Sequence, residues 1–288
     1  MKITKTILAA VLLLLALTGN SLAAPAYNLT EKKLEQGFVQ IYDFGAIKLH
    51  AYQTADLMQD ECFVLETAKN LVAIESPPFN ANIAIWNKYI NTLNKPLTDI
   101  LISAHPGGGN WYGNAKSHAT LSARKAINSG NTKALTEALG QSFGPEFNTK
   151  IPTIDFILNA GTNNIGSITL EIIDSGNEYN IVIPAIGVIY THMLGADSHS
   201  ILAGRGHINA VLNSLNNMQT NGYQLILSSH HTPETQKDVA TKIAYVKRVQ
   251  KLAGQSKNKA DFIEHVKKEF SNYGGLNYLD MTAGFLFP

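Results

Sequence analysis

The chain has 288 residues, 23 Lys plus Arg against 22 Asp plus Glu, a formal net charge of +1 and a single cysteine. So balanced a charge gives no electrostatic basis for binding nucleic acid or an anionic membrane. One thiol excludes an intramolecular disulfide and a Cys-rich structural zinc site, so the fold must rest on its apolar core.

Lys2 and Lys5 precede an apolar run over 7–17, and Ser21-Leu22-Ala23 places small residues where a signal peptidase reads them. This predicts a signal peptide over 1–23, cleaved before Ala24, and a secreted or periplasmic mature chain. No stable membrane insertion is expected after cleavage, because a spanning helix needs about 20 apolar residues. Residues 24–288 contain no low-complexity linker, heptad run or short repeat, so one domain is expected.

The first half opens with strand-like segments at 38–42, 47–52, 62–65 and 70–75, rich in aromatic and branched residues. Cys62 lies inside one of them and reads as a small buried hydrophobe. Pro77-Pro78 ends the last strand, and Ile83, Trp86, Tyr89, Ile90 and Leu93 then recur at helical spacing, predicting a helix over 81–93. Residues 100–103 form a short buried strand that breaks at His105-Pro106 into Gly107-Gly108-Gly109-Asn110. An imidazole is thereby presented at the rim of a sheet, on a loop held by a rigid scaffold. Trp111 and Tyr112 follow, suited to packing that loop or stacking on a ligand.

A strand over 114–120 and helices over 121–128 and 132–143 come next, divided by Ser129-Gly130. The second half repeats the style, with strands at 153–158, 167–173 and within 179–191. A helix over 208–220, a buried strand over 224–228 ending at Ser229-His230-His231, and helices over 233–252 and 259–270 complete it. Lys242, Lys247, Arg248, Lys251, Lys257 and Lys259 read as a solvated helix face. Strands packed between outer helices predict a layered α/β sandwich.

The stretch ending in His105-Pro106 resembles the metal-binding loop of the metallo-β-lactamase superfamily, a strand followed by His-x-His-x-Asp-His. With Pro106 setting the register, Ser103 stands at the first His, His105 at the second, Gly107 at the Asp and Gly108 at the third His. Glu75 matches an acidic residue that often ends an earlier strand in that family. The run Gly161–Ser167 is similar to the family's Gly-His-Thr turn, with Asn163 at the ligand position. The run Gly187–Met193 is similar to the strand that ends in Gly-Asp, with His192 or Met193 on the Asp and Asp197 as a shifted candidate; His199 lies at a further polar position. The run Ile226–Pro233 is similar to the last strand, with His230 at the ligand His.

The resemblance implies a four-layer αββα sandwich and a zinc-dependent hydrolase ancestry. It also implies a degenerate site, since most ligand letters have changed. His105, His230, Asp197 and His199 are the candidate metal ligands, and Asn110, Asn163, His192 and His231 the further groove candidates. Zinc is expected to bind weakly or not at all. The leading expectation is therefore an inactive member that binds a small molecule or partner in the old groove. The alternative is a mononuclear zinc hydrolase with a reduced or relocated site.

Overall fold

The computed structural model describes residues 27–288. The expected signal peptide falls outside the described residues. Among them, no helix is long and apolar enough to cross a membrane.

The first sheet has eight strands in sequence order: β1 (Asn28–Lys33), β2 (Phe38–Asp43), β3 (Lys48–Gln53), β4 (Glu61–Glu66), β5 (Leu71–Ile74), β6 (Leu97–Leu101), β7 (Lys116–Thr120) and β8 (Phe156–Leu158). The first five form an antiparallel meander, and the last three add in parallel. Parallel neighbours need crossovers. Here α1 (Asn80–Asn91) links β5 to β6, and α2 (Leu121–Ser129) with α3 (Asn131–Phe143) links β7 to β8.

The second sheet has six strands: β9 (Gly161–Ile165), β10 (Ile168–Asp174), β11 (Tyr179–Ile183), β12 (Val188–Tyr190), β13 (Leu225–Ser228) and β14 (His231–Glu234). Only β12 and β13 run in parallel, joined through α4 (Arg205–Asn221). The helices α5 (Gln236–Gln255), α6 (Lys259–Glu269) and α7 (Leu276–Leu286) close the chain.

The central strands of the second sheet are largely apolar because both faces are covered. Ile181, Ile183, Val188, Tyr190, Leu225 and Leu227 belong to the core shared with the first sheet. Their alternating neighbours Val182, Ile189 and Ile226 belong to a second core with α4–α7. The strand period of two sorts these residues to opposite faces. The result is the expected order of helix, sheet, sheet, helix.

Three local expectations need correction. The run over 161–167 is not a turn before a strand: β9 and β10 form a hairpin around it. Thr232 and Pro233 do not open a helix; they lie in β14, and α5 begins at Gln236 after a Thr235/Asp238 capping box. Lys242 is not on a solvated face but buried, where its ammonium donates to Gly195 O at 2.7 Å and Ser198 O at 2.6 Å. Glu234 accepts from the N–H groups of Gly195 and Ala196 at 3.0 and 2.7 Å. Together they clamp the loop after β12 against the helix layer.

Leu227 is fully buried between the sheets. Leu227→Ala is expected to cost about 2–5 kcal/mol, seen as a lower urea midpoint with an unchanged slope. Burial lowers Lys242 from 10.5 to about 8, against the opposing pull of Glu234 and Asp197. Between those pH values the unfolded chain binds more protons, so this residue makes stability rise with pH there. Stability measured from pH 7 to 10 should show that rise relative to Lys242→Met, and a difference falling with pH would contradict it.

Candidate metal centre

The loop after β6 is shaped by one carboxylate. Glu75 follows β5 with φ of 63°, fully buried beside the parallel strand β6. Its Oε1 accepts from the N–H groups of Ser103 and Ala104 at 3.1 and 2.8 Å, and its Oε2 from that of His105 at 2.9 Å. The Tyr190 hydroxyl, at the end of β12, donates to Oε1 at 2.7 Å. Its proton being used there, Tyr190 accepts from the Ser229 hydroxyl at 2.8 Å. Burial pushes the Glu75 carboxyl above the usual range, and the Tyr190 and backbone donors hold it back. Ser103 Oγ donates to Tyr179 O and accepts from Tyr179 N–H, both at 2.8 Å, tying the loop to β11. Gly108, with φ of 91°, lets the loop turn where a Cβ would press on Ile83 and Trp111 at 3.1 and 3.2 Å.

Three imidazoles meet at this rim. His105 follows β6, His192 follows β12 and His230 follows β13, and one ring nitrogen from each lies within 4.8 Å of the other two. The His105 ring centroid is 4.7 Å from that of His230 and 5.3 Å from that of His192.

Each ring turns Nδ1 to a carboxylate. His230 Nδ1 is 3.3 Å and His105 Nδ1 3.5 Å from Asp60 Oδ1, and His192 Nδ1 is 2.8 Å from Glu178 Oε2. Glu178 on His192 and Met58 O, 3.3 Å from His230 Nδ1, place the proton on Nδ1 of those rings and leave Nε2 as the ligating nitrogen, the usual support for metal-bound histidine. Asp60 is buried, neither of its oxygens makes a well-formed hydrogen bond, and burial raises it to about 6. Burial, with the other two imidazoles, holds His105 well below its ordinary value, keeping it neutral. Burial also lowers His192, but the Glu178 hydrogen bond and charge outweigh it and the net shift is upward.

The other candidates lie outside the cluster. The clamp on the loop after β12 turns Asp197 outward, 83% exposed and 4.0 Å from His231 Nδ1. It turns His199 inward, where Nδ1 pairs with the Tyr245 hydroxyl at 2.9 Å. His231 opens β14 and packs against Gly195. Asn110 Oδ1 accepts from Thr153 N–H at 3.0 Å and from the Tyr112 hydroxyl at 3.2 Å, bracing the glycine loop. Asn163 sits on edge strand β9, three strands from β12 and so about 14 Å across the sheet. Its side chain donates to Asn159 O and Gly161 O.

A cavity of about 440 Å³ opens over the cluster. It runs from His105, His192 and His230 between α3 and α7.

No protein-family model matches the chain, nor does any curated protein. Solved structures do. A metallo-β-lactamase family protein from Thermus thermophilus is 14% identical with a TM-score of 0.58, over 82% of this chain and 92% of that one. The sec-alkylsulfatase Pisa1 from Pseudomonas sp. is 16% identical with a TM-score of 0.57, over 82% of this chain and 49% of that one. The chain thus spans about half the length of the alkylsulfatases it resembles. A metallo-β-lactamase from Erythrobacter litoralis is 12% identical with a TM-score of 0.51, over 76% of this chain and 100% of that one.

This chain has the metallo-β-lactamase fold.

Ser103, Gly107 and Gly108, which the sequence resemblance sets at the other positions of the His105 loop, offer no ligand: Ser103 is spent on Tyr179, and Gly107 packs against Pro78. The three imidazoles and two carboxylates suit one divalent cation of the zinc class with an open position. Sequence reading missed Asp60 and Glu178. The signal for Asp60 was the pair Asp60-Glu61 directly before the apolar run Cys62–Leu65; Glu178 had none beyond preceding Tyr179.

Tyr190→Phe removes one donor to a buried carboxylate. We expect a loss of about 1.5–3 kcal/mol in urea unfolding; a change under a few tenths would show that Tyr190 does not hold Glu75.

Proposed function

We propose that this protein is an exported, mononuclear metal-dependent hydrolase whose single cation is held by His105, His192 and His230. The observation that carries this reading is the convergence of three rings, each with Nδ1 directed at a buried or half-buried carboxylate. It supports the hydrolase alternative over the inactive binder, because isolated loop histidines need no such second layer. When bound, such a cation supplies a Lewis acid and a source of hydroxide near neutral pH. Glu178 holds the proton on Nδ1 of His192, Met58 O accepts from Nδ1 of His230 at 3.3 Å, and the buried Asp60 carboxyl, 3.3–3.5 Å from Nδ1 of His230 and His105, favours the proton on that side of both rings. Glu75 fixes the backbone that carries His105. Export rests on the pattern over 1–23, and a single domain over 24–288 is part of the same proposal.

Zinc titration of protein prepared without chelator tests this. One equivalent should bind, and alanine at His105, His192 or His230 should each abolish stoichiometric binding. Asp60→Asn should weaken affinity about 10–100-fold. Acidification should release the ion as the rings protonate. If zinc leaves all three ring signals unmoved in NMR, the inactive-binder reading stands instead. If zinc binds but ester, lactone and sulfate ester substrates all survive, the hydrolase assignment fails and the metal site remains.

A further inference from the structure

The helix α3 has an unusual relation to the rest of the molecule. Thr132, Leu135, Thr136 and Leu139 recur at i, i+3, i+4 and i+7, a single helical face. That face does not lie on a sheet, and Thr136 is its one buried residue. All four residues line the cavity over the histidines instead. Across the gap, α7 presents Tyr278 and Met281 one turn apart, and Ile201 and Met193 close the side toward His192.

Two properties of this groove define what fills it. No Asp, Glu, Lys or Arg among the described residues lines it, so a carboxylate or phosphate seated between α3 and α7, away from the histidine floor, would lose water without gaining a counter-ion. Leu135 and Met281 stand 57% and 47% exposed at its mouth, apolar surface that an occupant would cover. Its volume, about 440 Å³, is that of a small-molecule pocket, and its floor is the three imidazoles.

We propose that the groove between α3 and α7 receives an uncharged alkyl or acyl chain of the substrate, placing the labile bond of an amphiphile over His105, His192 and His230. The chain specificity rests on the hydrolase reading, but chain binding does not require a metal.

The test uses the full mature chain, first freed of metal, and straight-chain primary alcohols from butanol to decanol. Calorimetry, with methyl NMR of Met193 and Met281, should show affinity rising about fourfold per added methylene. Carboxylates of matched length should bind at least tenfold more weakly. Leu135→Asp and Met281→Asp, both at exposed positions, should each weaken decanol binding at least tenfold while zinc stoichiometry and thermal midpoint stay unchanged. With metal restored, kcat/KM for neutral esters of one leaving group should climb with acyl length in the same proportion. Affinity that is flat along the alcohol series, or carboxylates that bind as tightly, would overturn the proposal. So would a concentration-dependent dimer that Leu135→Asp dissociates and that excludes decanol, since a second copy would then be the occupant. Chain binding without any hydrolysis would instead sink the hydrolase reading and leave the groove assignment standing.

Discussion

The site depends on a carboxylate that is not itself a candidate ligand. Glu75 gathers three consecutive N–H groups of the loop after β6 and the hydroxyl of Tyr190 from the opposite sheet. A buried carboxylate without such donors would be very costly, and three consecutive N–H groups without an acceptor would each add a further penalty. Each group therefore requires the other. The arrangement fixes where the first sheet ends, how the loop leaves it and how closely the second sheet docks. With Ser103 bonded to Tyr179, the same loop also fixes the strand next to Glu178.

That scaffold explains why the imidazoles converge although they lie far apart in sequence. Each follows a strand on the same rim, where the backbone is held by ladder hydrogen bonds up to the residue before the turn. The carboxylates then decide what the rings present. Other histidines of this chain show the contrast. His50 lies between Tyr89 and Glu66 at 2.7 and 2.8 Å, and His118 pairs with Asp99 at 2.8 Å, each a pair within the first sheet and its helix. A histidine with a carboxylate is ordinary; three of them facing one point make a candidate metal centre.

Much of the fold was legible because apolar periodicity is a direct record of burial. The runs at 62–65, 70–75, 100–103 and 224–228 fall on β4, β5, β6 and β13, and the spacing of Trp86, Tyr89 and Ile90 on α1. The resemblance to metallo-β-lactamase sequences supplied the layer order. What escaped was whatever lacks an apolar signature. Strand β1 (NLTEKK) is exposed at every position, and β14 carries Pro233, a poor residue for a central strand but tolerable at an edge. The helix α7 is short and followed no cap that the sequence advertised. At the site, motif register alone left His192 and Met193 undecided. Asp60 and Glu178 act through space, Glu178 from 14 residues before His192 and Asp60 from 45 and 170 residues before His105 and His230, so no local pattern announces them. Lys242 sits in a basic-looking helix, and only the two carbonyls above it reveal why it is inside.

The polar strand β1 has a consequence for the solubility of the whole molecule. It pairs with β2 along six residues and forms the outer edge of the eight-stranded sheet. Charged Glu31, Lys32 and Lys33 make it a poor template for another chain. At the opposite edge β8 is only three residues long, so its exposed Phe156 and Ile157 offer little backbone to pair with. Remove β1, and the new edge is FVQIYD, six residues of which four are branched or aromatic, with one charge at its end. Such a run is the kind that recruits strands from neighbouring molecules. The first strand thus acts as a covering layer for the second, and a chain shortened past it would be expected to aggregate before it lost its core.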